Sequence, residues 1–273
     1  MFFVRFIRII VSIPIIIGIE TVKIYNFFLS IIDYKNHNSF FEEYLQKILD
    51  KKVSKKIFID KKKFIQFHNP TKSSAYRAKT FFDKEPETID WMIKRGKKNK
   101  ILFDVGANMG VYSIFYAKKF NSKVFAFEPS LRNLDLLTRN ISLNNLNKKI
   151  IVFSNPLNKE DKISEFYQFD LRGGNAGATF NSKNTERRIR KNQDNKETKN
   201  SSFQTYGIGL NSLITKKILP LPDLIKIDVD GNEYEILKGL EQIFSKVKKL
   251  SLLIEVRKNT EKKISSLLKK NRF

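Results

Sequence analysis

Five short apolar runs constrain this chain most: ILFDV at 101–105, KVFAFEP at 123–129, KIIVF at 149–153, LIKIDV at 224–229 and KLSLLIEV at 249–256. Stretches with helical spacing separate the first three. Val111, Ile114 and Phe115 mark one such stretch, and Leu131, Leu134, Leu137 and Ile141 form one face of the next. After the fourth run, Ile236, Leu237, Leu240 and Phe244 share a helical face, and EKKISSLLKKNRF reads as a last helix. Short apolar strands alternating with amphipathic helices predict parallel βαβ units around a buried sheet, hence a doubly wound α/β fold. In such a sheet the carboxyl edge of the strands is where a ligand binds.

Residues 156–220 break the rhythm. KISEFYQF alternates like a strand and RGGNAGATF is a glycine-rich loop, while the tract around 182–202 is a charged insert with nothing to bury. The loop, with Arg172 before it, reads either as a lid over an acceptor or as a wide turn between two added strands. Upstream, residues 33–98 read as a helical cover. Pro86 and Glu87 open a helix in it that carries Ile89, Met92 and Ile93 and ends at Gly96. The domain proper then spans 99–273.

Residues 1–32 form an apolar arm. Its longest uncharged run, Ile9 to Ile19, has 11 residues and contains Pro14, short of the roughly 20 that a spanning helix needs. No small-residue cleavage site follows. With Arg5 and Arg8 suited to anionic headgroups, the expectation is an arm lying on an anionic membrane surface, at the inner face of the cytoplasmic membrane.

Charge and composition exclude several chemistries. The chain has no cysteine, so thiol chemistry and cysteine-bound zinc are ruled out; with only His37 and His68, so is a histidine-rich metal site. His68 reads as a lone surface histidine, although it could act as a base from a covering segment. Lys+Arg of 52 against Asp+Glu of 28 gives a net charge of +24, which would draw anionic partners. The lysines are scattered, however, and no N-P-P-Y-type or aromatic-interleaved basic module accompanies them, so a nucleic-acid partner rests on charge alone.

The first run ends in FDVGANMG, with Asp104, Gly106, Ala107, Asn108 and Gly110 in a tight turn. A dinucleotide loop would need glycine where Asn108 and Val111 stand, and no Lys-Ser or Lys-Thr pair completes a phosphate loop. The turn therefore offers backbone N–H groups to a ligand without a pyrophosphate. Glu128 follows Gly106 by 22 residues, at about the distance where an acid bonds ribose hydroxyls. An adenosine carrying a charged amino-acid tail would fit, its ammonium on Asp104 and its carboxylate at the following helix N-terminus.

FDVGANMGVYSIFYA, VFAFEPSLRNLDLLTRN and DLIKIDVDGNEYEILKGL, in this order, resemble the FkbM family of S-adenosylmethionine-dependent methyltransferases. KEPETIDW and GGNAGATF look like a bacterial branch of it, and the resemblance covers roughly residues 75–257. It implies a class I methyltransferase fold and methyl transfer usually to oxygen, often on a sugar, glycan or natural-product acceptor. It makes Asp104, Gly106, Ala107, Asn108 and Gly110 the cofactor loop, places Glu128 on the ribose and sets Asn155 beside adenine. Two departures stand out. Asn211 in GLNSL replaces an acid, and the chain stops at KKNRF where the family continues to a closing β-hairpin. That reads as a sheet with an exposed edge, and the alternatives are a nucleic-acid methyltransferase, favoured by charge alone, and an inactive cofactor-binding or membrane-associated relic.

In KIDVDGNE, Ile225, Ile227 and Val229 point one way along a strand and Lys226, Asp228 and Asp230 the other. Asp228 is the first candidate for the base or orienting group at an acceptor hydroxyl, followed by Asp230 and Glu255. Asp230 also suits a helix N-cap, with Glu233 completing a capping box. Carboxylates of this kind could hold a divalent metal, but the sequence assigns no ligand set. Arg77 and Lys79 could meet an acidic acceptor.

Overall fold

The computed structural model describes residues 51–168, 173–180, 201–247, 249–271 and 273, together with Glu20 and Lys47. Two compact units divide the chain, Met1–Lys52 and Val53–Phe273. The apolar arm (apart from Glu20), Arg172 and nearly all of the charged insert lie outside the described residues. Among the described residues no helix is long and apolar enough to cross a membrane.

The second unit is built on a parallel sheet of five strands, β3 (Leu102–Val105), β4 (Val124–Phe127), β5 (Ile150–Phe153), β10 (Leu224–Ile227) and β11 (Ser251–Ile254), in the order β11-β10-β3-β4-β5. All four strand pairings are parallel. The chain moves outward from β3 in one direction and, from β10, in the other. The switch between β3 and β10 opens a crevice at their carboxyl ends. These strands are the five apolar runs of the sequence. At the end of the order, β11 has half-buried residues, and Trp91 Nε1 donates to Ser251 Oγ there at 2.9 Å.

Alternation along the strands divides the core in two. Leu102, Val124, Ala126, Ile150 and Leu224 point to one face and pack on α3 (Val111–Phe120) and α4 (Leu131–Leu143), with α1 (Lys72–Lys79) and α2 (Pro86–Arg95) completing that layer. Phe103, Val105, Phe125, Ile225 and Ile227 face the other way. They meet α5 (Leu210–Thr215), α6 (Glu233–Gly239), α7 (Glu241–Phe244) and α8 (Glu261–Lys270). One period-2 pattern thus fills two layers. Ile236, Leu237, Leu240 and Phe244 are buried as the spacing predicts, although a break at Leu240 splits their segment into α6 and α7.

The face of α4 needs correction. Leu131 is 64% exposed, and the inward positions are Asn133, Leu136, Leu137, Asn140 and Ile141. The buried asparagines account for the rotation, because they satisfy backbone groups that would otherwise be orphaned. Asn140 Nδ2 donates to Met109 O at 2.8 Å, while its Oδ1 accepts from His68 N; Asn144 bonds both the N–H and the carbonyl of Gln66. His68 is therefore buried rather than on the surface.

Two short strands, β1 (Ile57–Phe58) and β2 (Phe64–Ile65), form an antiparallel hairpin that the lysine-rich pattern around 61–63 hides. A second sheet, order β6-β9-β7-β8, is made of β6 (Leu157–Asn158), β7 (Lys162–Gln168), β8 (Ala178–Phe180) and β9 (Ser201–Gly209). It carries the glycine-rich loop, residues 173–177, across the crevice.

Candidate active site

A cleft opens at the switch point. Gly106, Ala107, Asn108 and Tyr112 line it from the turn after β3 and the start of α3, Glu128 from the end of β4, and Asn155 from the end of β5. Lys226, Asp228 and Asp230 enter from β10, and Glu255 from the end of β11. Glu128, Asp228 and Glu255 all stand one residue beyond their strands, each held by its own N–H on the neighbouring strand's carbonyl: Phe153 O at 3.0 Å, Val105 O at 3.0 Å and Ile227 O at 2.9 Å respectively. The sheet edge itself therefore aims these carboxylates.

The glycine turn is bonded internally. Gly106 N and Ala107 N both donate to Phe127 O, Asn108 N to Glu128 Oε2 at 2.7 Å, and Gly110 N to Ala107 O. What the turn offers a ligand is close backbone approach more than free N–H donors. Asp104 and Gly110 do not line the cleft. Gly110, at φ +85°, starts α3 with its α-carbon against Leu137.

Beneath the turn lies a charge cluster. Asp104 is fully buried; its Oδ2 accepts from Ser113 Oγ at 2.6 Å and its Oδ1 faces Lys226 Nζ at 3.7 Å. Lys226, 2% exposed, pairs with Asp228 Oδ2 at 3.0 Å and lies 5.1 Å from the centre of the Tyr112 ring. Burial works against the ammonium, but Asp228 and Asp104 outweigh it and raise the Lys226 pKa. Asp228 is held below its usual range: burial opposes its charge, yet Lys226 prevails. Burial raises Asp104, with Lys226 opposing.

Glu255 is the counterpart of Asp228. Burial and then the charge of Asp228, to which it is hydrogen-bonded, push its carboxyl up to about 7. The two form a carboxyl–carboxylate pair that gains or loses one proton near neutrality. Glu128 is also raised to about 7, by burial, against the N–H groups of Ser130 and Asn108 that bond its two oxygens.

Asp230 does not cap α6. The residue at the cap is Asn232, without a side-chain cap bond, and Glu233 Oε1 accepts from Gly231 N. Gly231 at φ +111° delays the helix by two residues, so Asp230 turns away. Its Oδ1 accepts from Arg257 Nη2 at 2.8 Å and its Oδ2 from Gly177 N. Asp230 thereby ties the glycine-rich loop to the sheet edge. That loop is fastened from other sides too: Asn108 Nδ2 and Asn133 Nδ2 donate to Asn175 O, and Arg77 Nε donates to Gly174 O at 2.7 Å.

Sequence reasoning missed Glu85 and Tyr112. Tyr112 OH donates to Glu85 Oε2 at 2.6 Å, and both line the cleft with Lys84. Burial would raise Glu85, but Lys84 and Tyr112 hold it below its usual range. The available signal was KEP, a charged pair ahead of a helix-opening proline. Arg77 lines the cleft, while Lys79 and His68 do not. Among the described residues no group of three or more His, Asp or Glu is placed to hold a metal ion.

In the fold, Glu128 and Glu255 titrate above the usual carboxylate value of 4.5, at about 7. Between those values the native state binds more protons than the unfolded chain, so stability present below pH 4.5 is lost as pH rises through about 7. The denaturation midpoint of the ligand-free protein is expected to fall from about pH 5 to pH 8, and Glu255→Gln to flatten part of that slope. Urea titrations at several pH values measure it, and a midpoint that rises across this window contradicts the assignment.

The sequence matches the Methyltransferase FkbM domain over residues 104–272. It is 26% identical over 163 residues to the hexuronic acid methyltransferase AglP of Haloferax volcanii, covering 60% of this chain and 59% of that protein. It is 29% identical over 161 residues to the methyltransferase sdnD of Sordaria araneosa, covering 53% and 61%. The chain thus spans about three fifths of the length of these relatives. Among solved structures, an FkbM methyltransferase from Methylobacillus flagellatus KT aligns at 14% identity and a TM-score of 0.42, over 82% of this chain and 51% of that one. A precorrin-6y C5,15-methyltransferase from Geobacter metallireducens aligns at 14% and 0.41, over 71% and 74%. With 169 of its residues inside the matched domain, this chain belongs to the FkbM methyltransferase family.

Proposed function

We propose that the protein is an S-adenosylmethionine-dependent O-methyltransferase acting on a hydroxyl of a sugar or related acceptor. The observation that carries this reading is the Asp228–Glu255 carboxyl pair, set beside buried Lys226 at the ends of β10 and β11, next to the glycine turn after β3.

The chemistry of the cleft suits that donor. Gly106 and Ala107 allow close approach and Glu128 stands at the second strand's end, while Phe127, Pro129, Leu157, Phe166 and Phe180 supply apolar wall for a base. Asn175 Nδ2 and Thr179 Oγ1 are buried without a hydrogen-bond partner among the described residues, as a polar ligand would require. In this reading Gly106, Ala107, Asn108, Glu128 and Asn155 hold the cofactor, with Asp104 and Gly110 shaping the turn from behind. When bound, S-adenosylmethionine supplies an electrophilic methyl group on a sulfonium.

The protein's part is to align the acceptor and take its proton. Lys226 keeps Asp228 ionised, and the Asp228–Glu255 pair accepts one proton near neutral pH, where a base is most effective. Asp230, engaged by Arg257 and Gly177, orients the loop beside the acceptor. Glu85 and Tyr112 close the same end and exclude water. Lys84 and Arg77 line this cleft as well, as a carboxylated acceptor would use; the Haloferax relative, named for hexuronic acid, supports an acidic sugar.

The test is turnover. S-adenosylhomocysteine release is measured across a panel of hexuronic acids and neutral hexosides, with product analysis for O-methyl groups. kcat/KM is expected to rise with pH through about 7, as the carboxyl pair ionises, and Asp228→Asn to lower kcat by about 10²–10⁴-fold. Methylation at nitrogen, or a flat profile between pH 5 and 9 in a protein that turns over, overturns the proposed roles.

A further inference from the structure

The glycine-rich loop and β8 lie across the cleft, and each contributes a polar atom with nothing to bond. Thr179 is 5% exposed, its Oγ1 is buried, and it lines the cavity. Asn175 lines the same cavity; its Nδ2 is buried, and its Oδ1 is taken by Ser73 Oγ. Neither atom has a hydrogen-bond partner among the described residues. A buried hydroxyl or amide left this way costs stability, and the alternation of β8 gives no structural reason for a hydroxyl at 179, since an apolar β-branched residue would serve the strand equally well.

The position of the pair indicates which end of the cleft it serves. The backbone carbonyl of Asn175 accepts from Asn108 Nδ2 at 2.9 Å and from Asn133 Nδ2 at 3.2 Å. Asn133 Nδ2 is also 3.5 Å from Glu128 Oε1. At Asn175 the loop is therefore pinned onto the glycine turn and beside the Glu128 carboxylate, while two residues on, Gly177 N is tied to Asp230 Oδ2. It is also held firmly: Thr71 Oγ1 donates to Gly173 O at 2.7 Å, and Gly174 at φ +84° has its α-carbon against the Ser74 backbone. A segment fastened by α1, α4 and the glycine turn is a fixed roof.

We infer that residues 173–180 form the roof of the cofactor site, with Asn175 Nδ2 and Thr179 Oγ1 as hydrogen-bonding groups that recognise the adenosine part of S-adenosylmethionine. This rests on the proposed function. It extends cofactor recognition beyond the glycine turn and the β4 acid to a loop inserted between β5 and β10. Asn175 Nδ2 is a donor and Thr179 Oγ1 can both donate and accept, so the pair suits the mixed acceptors and donors of a nucleoside.

Thr179→Val tests the inference, because it removes the hydroxyl while keeping the strand's shape. Full-length wild type, Thr179→Val and Asn175→Ala are titrated with S-adenosylhomocysteine by calorimetry and melted without ligand. A roof role predicts about tenfold weaker binding in each variant, one hydrogen bond's worth. It also predicts a ligand-free melting temperature for Thr179→Val equal to or above wild type, since an unsatisfied buried hydroxyl is gone. Affinity loss without destabilisation separates ligand contact from a structural role. Wild type binding with both variants unchanged overturns this inference and leaves the proposed function standing. A folded wild type that does not bind overturns both.

Discussion

Replacing Lys226 with methionine is expected to lower the free energy of unfolding by about 3–5 kcal/mol at neutral pH, the cost of stranding a buried charge. Lys226 is the only cation within ion-pair distance of Asp104 among the described residues, and Asp104 has no exposure at all. Register explains the arrangement: Lys226 and Asp104 sit opposite each other on parallel β10 and β3, so their side chains emerge on the same face, under the glycine turn. The loss should be smaller at pH 5 than at pH 8, because Asp104 can then take up a proton. Adding Asp104→Asn to Lys226→Met should recover much of the stability, as removing both members of a buried pair does. Chemical denaturation of the two single variants and the double variant measures the coupling. Additive losses would show that the two groups do not depend on each other.

The second large effect is at Gly106. Its φ is +80°, and a Cβ there would stand 1.9 Å from Asp228 O and 2.9 Å from the same residue's carbonyl carbon. Left-handed backbone alone costs a non-glycine residue about 1–2 kcal/mol, and backbone-to-backbone overlap cannot be relieved by a rotamer change. Gly106→Ala is expected to cost more than about 3 kcal/mol in total and to push the turn away from Asp228. Gly110→Ala provides the comparison. It has a similar φ, +85°, but its Cβ would meet Leu137 Cδ1 at 2.5 Å, the end of a side chain that can move. Denaturation midpoints should therefore rank wild type above Gly110→Ala, and Gly110→Ala above Gly106→Ala. The reverse order would contradict the close approach of β3 and β10 that shapes the cleft.

The parts of this molecule that were legible in the sequence are those set by period and by steric need. All five apolar runs are strands of the central sheet; β3, β4 and β10 are buried along their whole length, and a strand covered on both faces is mostly apolar. Gly106 and Gly110 are at positive φ as a tight turn demands. The illegible parts depend on side chains that satisfy distant backbone. Leucine spacing put Leu131 inside, whereas Asn133, Asn140 and Asn144 claim that face, since each bonds a segment far away in sequence. Asp230 looked like a cap, but Gly231 redirects it to Arg257 and Gly177. The pairing of Glu85 with Tyr112 is invisible in the sequence beyond the KEP that opens α2, because it exists only once α2 and α3 share a layer.

The carboxyl pair illustrates the same limit. The sequence put Asp228 and Glu255 at the ends of two strands, but did not show that the strands are neighbours, or that Lys226 beneath would depress one acid while burial raises the other. Those properties follow from the register of β10 between β3 and β11. They are what make a proton acceptor near neutral pH out of two ordinary acids.

In this reading the turn after β3 and the acid after β4 together hold S-adenosylmethionine. Calorimetric titration of the full chain with S-adenosylhomocysteine, beside Glu128→Gln, decides the matter. One site of micromolar affinity is expected in the wild type, weakened at least tenfold in the variant while its circular dichroism stays native. A wild type that is folded and shows no binding heat, or a Glu128→Gln variant that binds as tightly as wild type, would contradict it.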